Sequence, residues 1–234
     1  MAGSLLPCLF PLQDDALDRV CGVKRIVGSG LTGGCGTKAA LVISSNPSLV
    51  LQAALTPAAA GQTVVVVMGG DRWTRMPPTF HLMPRPCPTA MASIRFWYPT
   101  NLAELTQLIY KEDVVAETVI VSGADLLVRR SMGGQIGGKV FLKTFARFSA
   151  ILQSYLASCL EEECAILRMA NLVVFSSFSE EEEVSVSDVS SLWYQEVWKE
   201  EVKPTRNTLI SIPQNVSISY YLSEGSVYLQ GLEL

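Results

Sequence analysis

The chain has 234 residues, 49% of them hydrophobic and 17% charged, with a formal net charge of −4. That length supports one sizeable α/β core, and the hydrophobic share excludes disorder as the state of the whole chain. The negative charge argues against a surface that binds nucleic acid everywhere, since phosphate contacts need clustered Lys and Arg, but it leaves room for a local basic patch.

No run approaches the roughly 20 apolar residues of a membrane-spanning helix. The apolar runs, such as residues 64–68, are short and β-branched, which suits a strand buried on both faces. Residues 1–22 read as an N-terminal segment, apolar at first but with two prolines and no basic flank up to Leu12, a poor match to a secretory signal. Residues 23–234 read as a single domain. The six cysteines show no C-x-x-C spacing and the single histidine is His81, so no zinc site is expected within the chain. Reduced, buried thiols are the expected state.

The first organised segment is residues 23–27, an apolar-basic strand. A glycine loop at 28–36 follows, and residues 39–55 read as a helix broken near Asn46 and Pro47. This gives strand, glycine loop and helix, the first unit of a parallel α/β sheet. Residues 64–67 form a second buried strand, then a Pro-rich excursion runs from 76 to 88. Residues 94–98 are extended, and a helix begins after Pro99 with Thr100 or Asn101 as cap and Glu104 in its first turn.

Residues 118–121 are a third buried strand, followed by a glycine-rich loop at 131–138. The clearest helix is 140–160, in which Phe141, Phe145, Phe148, Leu152, Tyr155 and Cys159 recur every three or four residues. Residues 172–175 are a fourth strand. Residues 176–191, with Glu180 to Glu183 in a row, read as an acidic mobile loop, and 192–202 as a short amphipathic piece. Residues 208–212, 216–222 and 226–230 read as antiparallel strands, the last two joined at Glu224 and Gly225. The fold class is therefore α/β, a mostly parallel sheet flanked by helices with a C-terminal antiparallel β extension.

The loop at 30–38 sits where a P-loop would, without its letters. A working G-x-x-x-x-G-K-[ST] surrounds phosphates with backbone N–H groups, and its lysine and hydroxyl serve the phosphates and magnesium. Here Gly33, Gly34, Gly36, Thr37 and Lys38 are the nucleotide-binding candidates, with Leu31 at the first glycine position. The alternative is a tight glycine turn that binds nothing. At the end of the third strand Ser122 replaces the usual carboxylate. Asp125 is the weak candidate for the metal, and otherwise a loop or cap aspartate. Lys38 and Asp125 are the only catalytic candidates.

Arg129, Arg130, Lys139 and Lys143 bracket the glycine loop at 131–138, and Arg72 and Arg75 flank Trp73. Each group can follow a nucleic-acid backbone, or can simply be solvated charge. Phe96, Trp97 and Tyr98 are consecutive aromatics that cannot all face inward. Together with Trp193 and Trp198 they are candidate anchors for a protein partner.

The stretch S-I-R-F-W-Y-P-T-N-L-A-E-L-T-Q-L at 93–108 resembles the SWIM-type zinc finger associated protein family, RecA-like recombinase paralogues of the Shu complex. The order of the strands and the closing hairpin at 220–229 are also similar. The resemblance implies a RecA-like P-loop core of the DNA-stimulated ATPase type, binding ATP with Mg. It further implies a nuclear protein of homologous-recombination DNA repair that pairs as a heterodimer with a SWIM-type zinc-finger protein. Such a protein binds single-stranded DNA and supports the recombinase filament. Because Leu31, Thr37, Lys38 and Ser122 depart from the Walker letters, the expected role is a mediator with little or no catalysis. The alternatives are an active ATPase with a rearranged P-loop and a generic P-loop-like interaction domain.

Overall fold

A computed structural model describes residues 38–44, 46–70, 88–111, 114–135, 137–161, 171–203, 206–211, 217–223 and 226–233. In chain order the elements are β1 Lys38–Ile43, α1 Pro47–Ala59, β2 Val64–Met68, α2 Pro88–Ala92, β3 Ile94–Trp97 and α3 Leu102–Lys111. Then come β4 Thr118–Ser122, α4 Ala124–Ser131, α5 Gly138–Glu161, β5 Asn171–Ser176 and α6 Glu180–Ser190. Four strands close the chain: β6 Glu196–Val202, β7 Asn207–Ser211, β8 Ser217–Ser223 and β9 Ser226–Glu233.

The strands form one nine-stranded sheet in the order β3-β2-β4-β5-β1-β6-β7-β8-β9. β3 through β6 are parallel, and β7, β8 and β9 add on antiparallel. Alternation along each strand feeds two cores. Ala40, Val42, Val64 and Val66 face α1, while Leu41, Ile43, Val65 and Val67 face the side of α3, α4 and α5. β2 and β4 are buried at every position, as strands covered on both faces must be.

The six-residue stripe expected on the long helix is buried throughout, and α5 lies across the sheet on that stripe. Burying each of its phenylalanines contributes about 1.5–3 kcal/mol. α3 starts as the sequence predicts. Asn101 Oδ1 accepts from Glu104 N at 3.0 Å, and the Glu104 carboxylate accepts from the Thr100 hydroxyl and N–H. Those two bonds, the hydroxyl's foremost, hold the Glu104 carboxyl below its ordinary range. No helix among the described residues is long and apolar enough to cross a membrane.

Three expectations fail. Residues 39–43 are strand β1 rather than helix, and helix begins only at Pro47, capped by Asn46, whose Oδ1 accepts from Ser48 N at 3.0 Å. A fully buried apolar run satisfies either structure by pattern alone. Residues 180–190, expected as an acidic loop, form α6. Ser179 and Glu182 make a capping box: Ser179 N donates to Glu182 Oε2 at 2.9 Å and Glu182 N to Ser179 Oγ at 3.4 Å. The four glutamates then stand in the first turn, where the helix dipole favours negative charge. Residues 196–202, expected as an amphipathic piece, are strand β6, docked parallel to β1. The strand at 23–27, the excursion at 76–88 up to its last residue and the turn at 224–225 lie outside the described residues, and Pro88, placed in that excursion, opens helix α2.

Candidate functional site

A phosphate-binding loop works at the carboxyl end of a strand, where the following helix presents its N-terminus. In this fold that place is residues 44–46, between β1 and α1. Gly33, Gly34, Gly36 and Thr37 lie outside the described residues. Lys38 is the first residue of β1, its Cα about 17 Å from the strand's far end. It therefore starts the strand instead of following it, and cannot take the role of a P-loop lysine at the β1–α1 turn.

The described residues of the turn are polar and hydrogen-bonded within the protein. Ser44 N donates to Ser176 O at 2.9 Å, Asn46 N to Ser44 Oγ at 3.0 Å and Ser48 N to Asn46 Oδ1 at 3.0 Å. The Ser44 hydroxyl donates to Glu200 Oε2, and Glu200 Oε1 accepts from the Tyr220 hydroxyl and from Asn207 Nδ2 at 3.3 Å. Burial first, then the Glu200 carboxylate, pushes the Tyr220 phenol well above its ordinary range. A carboxylate thus stands hydrogen-bonded to Ser44, in the turn that leads into α1. Residues 39–70 contain no Lys, Arg, His, Asp or Glu. ATP with Mg does not fit this turn, which offers no glycine, no lysine and an anion of its own.

At the end of β4, Gly123 adopts φ +72° and α4 begins at Ala124. Asp125 is 2% exposed. Its Oδ1 accepts from Ser177 N at 3.1 Å and from Ser176 Oγ at 3.3 Å, while its own N–H donates to Ser176 Oγ at 3.0 Å. The carboxylate ties the exit of β5 to the first turn of α4. Among the described residues, no group of three or more His, Cys, Asp and Glu is placed to hold a metal ion.

The basic residues around the glycine loop divide into two sets. Arg129 is taken up by the protein: its Nη2 meets Glu182 Oε2 at 2.5 Å and its guanidinium lies 5.8 Å from the centre of the Phe141 ring. Arg130 Nη1 donates to Gly69 O at 3.1 Å, and the rest of its fork faces an open groove of about 630 Å³. Lys143 lines the same groove with Arg147, one turn on along α5, and with Asn101, Gln135 and Thr144. Lys139 is exposed at the start of α5 and outside the groove. Arg72 and Arg75 lie outside the described residues. The structure thus brings Arg130 and Lys143 together and adds Arg147. The Lys143–Arg147 spacing of four residues was the available sequence signal for it.

Among the aromatics, Trp97 is buried against Tyr155 at 5.8 Å between ring centres. Trp198 is 1% exposed and donates through Nε1 to Glu196 at 3.0 Å. Both are core residues, so neither can anchor a partner. Trp193 is half-buried against the α5 face of the sheet. Phe96 is half-buried and stacks on Tyr98 at 6.5 Å, and Tyr98 is the aromatic turned outward, 67% exposed.

The sheet order, the helices on both faces and the antiparallel C-terminal extension define a RecA-like α/β fold, as the sequence predicts. The chain is similar to the crystal structure of the RadB recombinase, with a TM-score of 0.52 and 13% identity over 89% of this chain and 96% of that one. It is also similar to a KaiC-like protein of the hyperthermophilic archaeon Pyrococcus horikoshii OT3, with a TM-score of 0.53 and 8% identity over 90% and 96% of the two chains. No protein-family model matches the sequence, and no curated protein matches it.

Proposed function

We propose that the chain is a RecA-fold mediator of homologous recombination that works by binding and not by turnover. It binds single-stranded DNA, pairs in the nucleus with a SWIM-type zinc-finger protein of the Shu complex, and supports a recombinase filament. The observation that carries the non-catalytic half is the β1–α1 turn, where the N–H groups of Ser44, Asn46 and Ser48 are bonded internally and the neighbour is the Glu200 carboxylate. Positioned positive charge drives phosphoryl transfer, and residues 39–70 supply none. The basic groove beside the 131–138 loop supports the binding half.

The test is to purify the full chain alone and co-expressed with a SWIM-domain protein. Nucleotide content and binding to labelled oligothymidylate are then measured across a salt series. The expected result is no ATP retained or hydrolysed, and salt-sensitive DNA binding that strengthens in the co-purified complex. Stoichiometric ATP in either preparation, or turnover stimulated by DNA, would reject the reading.

A further inference from the structure

We infer that the groove between the starts of α3 and α5 is the path of the single strand, with Arg130, Lys143 and Arg147 as its phosphate contacts. This rests on the DNA-binding half of the proposed function and narrows the residues bracketing the glycine loop to those that share one groove. Three cations converge on one groove, and none of the described residues lining it is acidic. Among the other basic residues, Arg129 pairs with Glu182, Lys199 with Glu183 and Lys203 with Glu201. Lys143 and Arg147 have no carboxylate partner among the described residues.

The shape favours a strand over a single anion. The volume is that of a ligand pocket, well beyond one phosphate. Lys143 and Arg147 are about 6 Å apart along the axis of α5, of the order of the step between phosphates in an extended strand. Arg130 faces them from α4, held by its bond to Gly69 O. Leu102, Met132 and Val140 give the groove an apolar wall on which a base can lie. Gly133 adds a stretch with no side chain: a Cβ there would meet nothing within 4 Å, so its backbone is open to a close approach. A phosphopeptide would call instead for basic residues gathered around one phosphate.

The test uses the full chain with fluorescein-labelled oligothymidylate, comparing Lys143→Gln and Arg147→Gln with Lys111→Gln, an exposed charge outside the groove. Arg130 is left alone because it also braces Gly69. Each groove variant should weaken binding about 5- to 10-fold and flatten the log–log salt slope by about 1, with an unchanged melting curve, and the control should stay within about 2-fold. If the parent chain binds DNA and all three variants match it, the channel is wrong while the DNA reading stands. If the parent chain fails to bind DNA at any salt, the DNA reading falls and the channel with it. A multiply phosphorylated serine peptide that displaces the oligonucleotide more strongly than oligothymidylate does, and loses that power in Arg147→Gln, would assign the groove to a protein partner.

Discussion

Gly69 ends β2 against the exit of β4. Its N–H donates to Ser122 O at 2.7 Å, and a Cβ on it would lie 2.2 Å from Gly123 O. A backbone carbonyl cannot swing aside as a side chain does. Gly69→Ala should therefore cost about 3 kcal/mol or more, read from the urea-unfolding midpoint. At Gly70 the added methyl would meet Leu126 Cδ1 at 2.6 Å, the end of a side chain that can turn. Gly70→Ala should cost about 1 kcal/mol. Equal losses at the two positions would show that the Gly69–Gly123 contact does not fix the strand exits. The same crowded corner explains Asp125: buried between two strand ends, its carboxylate has backbone and hydroxyl donors to satisfy it.

For α6, the capping box makes a specific demand. Ser179→Ala removes the hydroxyl that accepts from Glu182 N and should lower stability by about 1 kcal/mol. Ser179→Asp keeps an acceptor there and should restore most of it in the same chemical denaturation. A loss of equal size in both would assign the effect to something other than the cap. How far the elements were legible follows from what each displays locally. The stripe of α5 speaks through side-chain period, and the short runs of β2, β4 and β5 through their length and β-branched residues. β1 was misread because residues 39–43 are apolar at every position and a glycine loop precedes them, so that position mimicked a P-loop. α6 was misread because four glutamates suggest a solvated loop, although S-E-E-E spells a capping box. Around β6, Trp193, Val197 and Trp198 imitate helical spacing, yet within the strand Glu196, Val197 and Trp198 are consecutive and all buried. Arg130 and Lys143 were legible as charges beside a glycine loop. The groove was not, because it brings Asn101 from the start of α3, Arg130 from the end of α4 and Arg147 from the body of α5 together.

Across the whole molecule, the C-terminal strands are locked to the first by polar groups. Glu200 of β6 receives Ser44 from the β1 exit, Tyr220 from β8 and Asn207 from β7. On the other face Tyr194 is buried, its hydroxyl paired with Ser149 at 2.8 Å. Burial pushes both phenols above the ordinary value of 10.0, and Glu200 adds to the effect at Tyr220. In the unfolded chain they ionise near 10.0, while in the folded chain they keep their protons. Above that pH the native state therefore binds more protons, and stability falls as pH rises. Melting temperature should be insensitive to these two groups below about pH 9 and decline beyond about pH 10. Tyr220→Phe should lessen the alkaline decline while lowering stability at neutral pH by about 1–3 kcal/mol. An alkaline limb unchanged in Tyr220→Phe would remove this phenol from the explanation.

The place of β1 at the centre of the sheet also sets a timetable. Its partners are β5 and β6, and Ala39 accepts the N–H of Gln195, 156 residues further along the chain. At a ribosomal pace of about 5–20 residues per second, that wait is roughly 8–30 s. β1 has no sheet partner until β5 at 171–176 is made, whereas β2 can pair sooner with β3 and β4. The nascent chain is therefore most prone to aggregate early in its synthesis, and its solubility then depends on chaperones rather than on its own surface.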